Sequence, residues 1–165
     1  MEQTQPLASY IDEIQRLWPT ETQEPTDQAL ALAQRALVEF PDSAQLHLRY
    51  GELLSMKREP DAAAILEQYL TAVLIAPDLA ETYEDIGFFF DVYGDRFQAA
   101  ERAFRRAVSL DPERVDSWVG LLRSLAQQGR KDELRALLAS QPDLQRREAV
   151  KALVADIKGG LWDPI

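Results

Sequence analysis

The chain has 165 residues, 46% apolar and 28% charged, which is enough for a globular core and excludes a wholly disordered polypeptide. A formal charge of −10 argues against nucleic acid or an anionic membrane as partner, because phosphates and acidic headgroups repel it. With no cysteine, disulfides, thiol redox chemistry and cysteine-ligated zinc are excluded.

The acidity is uneven. Residues 1–95 carry 5 Lys+Arg against 18 Asp+Glu, a balance of −13, whereas residues 96–165 carry 13 against 10, a balance of +3. A basic protein segment is therefore the expected partner. The polar start at Met1 to Pro6, and a longest apolar stretch of only Leu70 to Ala76 against the roughly 20 residues of a membrane span, predict a soluble, cytoplasmic chain without direct membrane binding.

Taken in chain order, the pattern is helical almost throughout. Leu7, Tyr10, Ile11, Ile14, Leu17 and Trp18 share one face at steps of three and four. After a break at Pro19 to Thr26, a run with Ala29, Ala33 and Ala36 ends at Pro41-Asp42. Further breaks fall at Pro60-Asp61, Pro77-Asp78, Asp111-Pro112 and Pro142-Asp143, with glycines at 94 and 129. Proline tolerates a first helical turn and the short carboxylate caps free backbone N–H groups, so each pair stops one helix and starts the next. About nine helices and no strand are predicted, closed by a helix from Leu144 to Ile157 and a tail from Gly159 to Ile165.

Pro41, Pro77 and Pro112 are 36 and 35 residues apart, and each closes a pair of helices. Within the last period stand Tyr83, Ile86, Gly87 and Phe90, then Gly94, then Ala100, Phe104, Ala107 and Pro112. This stretch resembles the tetratricopeptide repeat, a helix pair of about 34 residues with W-x2-L-G-x2-Y in its first helix and A-x3-F followed by P in its second. Weaker copies flank it. Upstream stand His47, Tyr50, Gly51 and Leu54, then Ile65, Tyr69, Ala72 and Pro77, with two extra residues between Gly51 and Ala72. Downstream, Trp118, Leu121 and Leu125 fit, but Leu122 occupies the small-residue place and the second helix, Lys131 to Ser140, is short.

The resemblance implies an all-α, right-handed α-solenoid forming one domain. Its divisions would be a degenerate helix pair at 7–41, repeats at 43–77 and 79–112, a truncated repeat at 114–141, a capping helix at 143–158 and a tail at 159–165. Packing logic agrees with it. Glycine inside a helix costs about 1 kcal/mol relative to alanine, so Gly51 and Gly87 need a close helix approach to justify them.

No catalytic, metal or cofactor site is expected. His47, the only histidine, stands where the repeat has a packing residue and has no second histidine to share a metal. The many acidic neighbours point in different directions on a helix, and no glycine-rich phosphate loop exists.

In the repeat family the first helices line a concave groove. The resemblance then implies three rungs: Leu48, Glu52 and Ser55; Glu84, Phe88 and Asp91; Val119, Arg123 and Ala126. Leu48, Glu52, Glu81, Glu84, Phe88, Asp91 and Arg123 are the candidate partner-binding residues, with Phe88 as aromatic anchor and the acids selecting Lys/Arg. Phe89 and Phe90 are expected in the core. The basic, asparagine-rich groove that grips chaperone C-termini is absent, since the chain has no Asn. An adaptor or chaperone is the reading, with head-to-tail self-association into a homo-oligomer, or a secretion-type chaperone, as alternatives. Trp162 is expected to fold back on the last helix or, as the alternative, to be a short motif offered to another protein.

Overall fold

In a computed structural model, residues 5–20 and 23–161 are described. They form nine α-helices and one 3-10 turn, with no strand among them. No helix among them is long and apolar enough to cross a membrane. The chain divides into two units, Met1–Asp78 and Leu79–Ile165.

The first unit holds α1 (Leu7–Arg16), α2 (Asp27–Glu39), α3 (Ala44–Ser55) and α4 (Ala62–Ile75). Three of these helices start on a side-chain cap. Thr26 accepts from the Ala29 N–H (3.1 Å), Ser43 from Leu46 (3.3 Å), and Asp61 from both Ala63 (3.0 Å) and Ala64 (3.2 Å). Tyr10 and Ile14 of α1 pack with Ala29, Leu32, Ala33 and Ala36 of α2 and with Leu46 and Leu53 of α3. The Tyr10 hydroxyl donates to Glu39 Oε1 (2.5 Å), and that carboxylate pushes its pKa up. A Cβ on Gly51 would lie 2.6 Å from the Tyr69 ring, which is the close approach of α3 and α4 that requires glycine there. His47 is tied at both ring nitrogens, Nε2 to the Pro41 carbonyl (2.9 Å) and Nδ1 to Gln68 Oε1 (2.8 Å).

The second unit holds α5 (Ala80–Val92), α6 (Phe97–Leu110), α7 (Val115–Gln127), α8 (Lys131–Ser140) and α9 (Glu148–Lys158). The α5–α6 connection turns through Gly94 (φ 102) and Asp95 (φ 51), left-handed positions that glycine and, less readily, aspartate adopt. Phe104 of α6 is fully buried at the centre, where its ring fills the space left by two glycines, Gly87 on α5 and Gly120 on α7. Trp118, Leu121, Leu122 and Leu125 of α7 surround it, with Leu134 and Leu138 of α8 and Val150 and Leu153 of α9 in the same core. Leu122 is thus an ordinary core residue, and the small residue that α7 needs is Gly120, two positions earlier.

The expected closing helix at Leu144–Ile157 is shorter at its start. Leu144–Arg146 is a 3-10 turn that buries Leu144, and α9 begins only after Arg147 passes through an extended conformation (ψ 130). The Gln145 amide donates back to the Leu138 carbonyl (2.7 Å), which holds this turn against α8.

An ion network joins α6, the end of α7 and α8. Arg130 reaches Glu101 (2.5 Å) and Glu133 (2.5 Å), Arg105 reaches Glu133 (2.6 Å), and the Gln128 amide donates to Glu101 (2.9 Å). Burial opposes ionisation of Glu101, but hydrogen bonds from Gln128 and Arg105 and the charges of Arg130 and Arg105 outweigh it and hold its pKa below the ordinary 4.5. The hydrogen bond from Arg130 lowers that of Glu133. A carboxylate lowered on folding stabilises the fold fully above its unfolded value and stops doing so as pH falls through the folded one. The melting temperature should therefore hold from neutral pH down to about 5 and fall below it. In Glu101→Gln/Glu133→Gln that acid-side fall should be shallower, and an equal slope would mean that the network carries none of it.

Candidate functional site

Five of the candidate residues lie in the second unit, four of them on α5. Glu84, Phe88 and Asp91 follow one another at steps of four and three, which places them on one helix face, and α7 supplies the residues opposite. The pairing across α5 and α7 differs from an open acidic surface. Glu84 is only 7% exposed. Its carboxylate accepts from Arg114 Nη2 (2.5 Å) and Nε (3.2 Å) and from the Ser117 hydroxyl. Two parallel N–H···O bonds of this kind are the strong form of a charge pair. The Arg114 pKa is raised first by the Glu84 hydrogen bond, against the opposing effect of burial, and then by the charges of Glu84, Glu81 and Asp111. Glu84 thus holds α5 to the start of α7 and offers no free charge. Glu81 is half-buried on the same helix.

Two turns on from Glu84, Asp91 pairs with Arg123 of α7 (Oδ2 to Nη2, 2.8 Å), with side-chain exposures of 10% and 28%. The Arg123 guanidinium also lies over the Phe88 ring, 5.8 Å from its centroid. Phe88 is half-buried and meets Phe104 edge-on at 5.1 Å. It is therefore a shared side chain, with one part in the core and the other facing the arginine. Phe89 is 7% exposed and in the core, and Phe90 is half-buried against it. Val92, next to Asp91, is 70% exposed.

Three buried polar atoms here have no hydrogen-bond partner among the described residues: Asp91 Oδ1, Arg123 Nε and Gln127 Oε1. Gln127 stands one turn beyond Arg123 on α7, hence on the same face. Two acceptors and one donor left unmatched at the α5–α7 face are costly by about 1–3 kcal/mol each unless something satisfies them. Gln127 was not visible as a site residue in the sequence, because glutamine in an amphipathic helix has no distinguishing signature. Of the remaining third-rung positions, Val119 is half-buried and Ala126 is fully buried.

Leu48 and Glu52 belong to the first unit. Leu48 is fully buried, so it presents no surface to a partner; an aliphatic side chain on α3 is worth more inside than at a surface. Glu52 pairs with Arg49 one turn earlier (2.7 Å). Among the described residues there is no cluster of three His, Asp or Glu side chains placed to hold a metal ion.

Comparison with known proteins agrees with this architecture. Two family models, both described as tetratricopeptide repeat, match residues 23–77 and 94–157, one in each unit. No curated protein matches the sequence significantly. Among solved structures, a crystal structure of MamA is similar with a TM-score of 0.63 at 18% identity, over 73% of this chain and 69% of that one. A second structure, of MamA protein, gives 0.65 at 17% identity, over 87% and 71%. At such identity the likeness concerns the fold alone, which is all-α and of the tetratricopeptide type. With the same repeat matched in both units and the glycine–phenylalanine contacts that pack it present in the structure, the chain belongs to the tetratricopeptide-repeat family.

Proposed function

We propose that the protein is a non-catalytic interaction module of the cytoplasm, an adaptor or chaperone that needs no cofactor. It binds a segment of another protein at the α5–α7 face, and that segment carries an arginine or lysine. The observation that carries this reading is the set of unmatched atoms, Asp91 Oδ1, Arg123 Nε and Gln127 Oε1, beside a half-buried phenylalanine. With Arg123 turned aside, N–H groups of a bound segment reach Asp91 Oδ1 and Gln127 Oε1, and a C=O group reaches the freed Arg123 Nε. The site already accommodates one guanidinium: Arg123 lies on Phe88 and against Asp91, an arrangement that favours a cation with a carboxylate on one side and an aromatic face on the other. Turning the 28% exposed Arg123 side chain aside would let a ligand's arginine take that place. The net charge of −10 steers such a segment towards the protein and raises its on-rate. Glu84, tied to Arg114 and Ser117, is a structural support of the site and makes no contact with the ligand.

The test is selection of a displayed library of random peptides on the full chain. Enrichment of Lys/Arg next to an apolar residue is expected, with affinity falling as salt rises. Asp91→Asn should weaken the selected peptides about tenfold, the loss of roughly 1.4 kcal/mol expected for a charge-assisted contact. Phe88→Leu, which keeps the core filled, should weaken arginine peptides more than uncharged ones. An acidic consensus, or one indifferent to both variants, would sink the reading.

The charge asymmetry between residues 1–95 and 96–165 favours one alternative, head-to-tail association of copies of the chain. Mass measured against concentration at low and high salt distinguishes it.

A further inference from the structure

Between α6 and α7 the Phe104 ring fills the space against Gly120, but α8 and α9 leave a half-open cleft between them. Its main lobe has a volume of about 530 Å³, and a smaller lobe of about 280 Å³ shares Leu138, Gln145, Val154 and Lys158 with it. The apolar lining comes from Leu134 and Leu138 of α8, which are buried, and from Val154 and Ile157 of α9, which are half-buried. Trp162, expected on the last helix, lies outside the described residues.

The charge of this lining is opposite to that of the chain. Among the described residues no Asp or Glu lines either lobe, although the chain has 28 of them against 18 Lys and Arg. The cations present are Lys131 and Arg135 of α8 and Lys151 and Lys158 of α9. Two acids outside the lining pair with two of these, Asp132 with Arg135 (2.6 Å) and Glu148 with Lys151 (2.6 Å), but Asp132 is 98% and Glu148 88% exposed. Pairs so open to water are weak and readily exchanged. Lys158 makes no ion pair among the described residues.

Helical spacing orders these side chains. On α9, Lys151, Val154 and Lys158 follow at steps of three and four, so an apolar residue lies between two cations on one face. On α8, Lys131 and Arg135 are one turn apart, as are Leu134 and Leu138. The result is an apolar strip with positive edges. Its complement is an amphipathic helix whose apolar stripe is bordered by Glu or Asp, laid into the groove with successive apolar side chains in the two lobes. A small apolar acid fits less well, because small-molecule sites enclose most of the ligand surface and this cleft is half-open.

We infer that the α8–α9 cleft is a second docking surface, for an acidic amphipathic helix of a partner protein. The apolar side chains of that helix lie on Leu134, Leu138, Val154 and Ile157, and its carboxylates face Arg135 and Lys158. The balance of +3 over residues 96–165 spares such a segment local repulsion. This surface stands apart from the α5–α7 face, has the opposite charge preference and does not depend on that reading. Together the two faces would let one chain join a basic segment to an acidic one.

Fluorescence anisotropy of the full chain with two labelled helical peptides of about 15 residues tests this. Both carry the same leucine stripe, bordered in one by glutamates and in the other by lysines. The glutamate peptide should bind about tenfold more tightly than the lysine peptide, and more weakly as salt rises. Serine in place of its leucines should abolish binding. Arg135→Glu/Lys158→Glu, which alters only exposed side chains, should reverse the preference. The gain for the lysine peptide cannot come from unfolding. Equal binding of the two peptides, or binding of neither, overturns the inference. So does glutamate-peptide binding that ignores the charge reversal, which places it elsewhere on the chain. Decanoate bound as tightly as the glutamate peptide would replace the helix by a small apolar acid and overturn the assigned partner.

Discussion

Gly120→Ala is expected to destabilise the second unit by about 2 kcal/mol, and Phe104→Leu is expected to remove that cost. Alanine is favoured over glycine inside a helix by about 1 kcal/mol, so propensity alone predicts a gain. Packing reverses the sign. A Cβ at Gly120 would run into the Phe104 ring, and the ring has no room to retreat, because on its other side a Cβ at Gly87 would already lie 2.6–2.7 Å from it. Phe88 also meets it edge-on, and Phe104 is fully buried. Overpacking of this kind costs about 1–3 kcal/mol. Leucine at 104 gives up the ring, so in that background Gly120→Ala should be neutral or stabilising by up to about 1 kcal/mol. Urea unfolding of the four chains of this cycle measures the coupling. Gly159→Ala serves as a control, because a Cβ there meets nothing closer than 3.4 Å. Additive effects at 104 and 120 would show that the ring does not fill the Gly120 gap.

The second large effect is expected at Glu84. Glu84→Gln should cost about 3 kcal/mol, the lower end of the range for breaking a buried pair, since Arg114 keeps 28% of its side chain in water. Ser117→Ala, which removes one donor from the same carboxylate, should cost about 1–1.5 kcal/mol. Glu84→Lys should cost more than Glu84→Gln, because it sets two cations against each other at a site only 7% exposed. Circular dichroism during urea unfolding decides. If Glu84→Lys unfolds within 1 kcal/mol of the unaltered chain, the pair lies in water and the α5–α7 clamp does not exist. A loss of binding in Glu84→Lys would therefore report unfolding; Asp91→Asn is the variant to use for binding, with its urea unfolding measured alongside because the Asp91–Arg123 pair is buried to the same degree.

Both predictions concern contacts between different helices, and this separates what could be read early from what could not. The helix breaks were legible because proline and the short acidic side chains act on their own neighbours. Asp61 caps α4 through N–H groups two and three residues away, and Pro41, Pro77 and Pro112 mark a period that needs no partner to be seen. The repeat itself was legible at Gly87, Ala100 and Phe104, where small and large residues alternate at fixed spacing. On α7 the family's small-residue position is taken by Leu122, as the sequence shows, and the glycine against which the Phe104 ring rests is Gly120, a contact the repeat pattern does not mark.

The candidate site was legible as a helix face and not as a charge. The steps of four and three that put Glu84, Phe88 and Asp91 together follow from 3.6 residues per turn. That Arg114 and Arg123, 30 and 32 residues further on, neutralise the two acids depends on how closely α7 approaches α5. Burial of Leu48 has the same origin, since an aliphatic residue on a predicted face carries no mark of which neighbour covers it. The amino-acid sequence alone thus determined the helices, their order and the repeat, because short-range sterics and hydrogen bonding govern these. Only the tertiary structure decided which charges remain uncompensated, because Coulomb and hydrogen-bond energies depend on distances and burial that linear spacing does not contain.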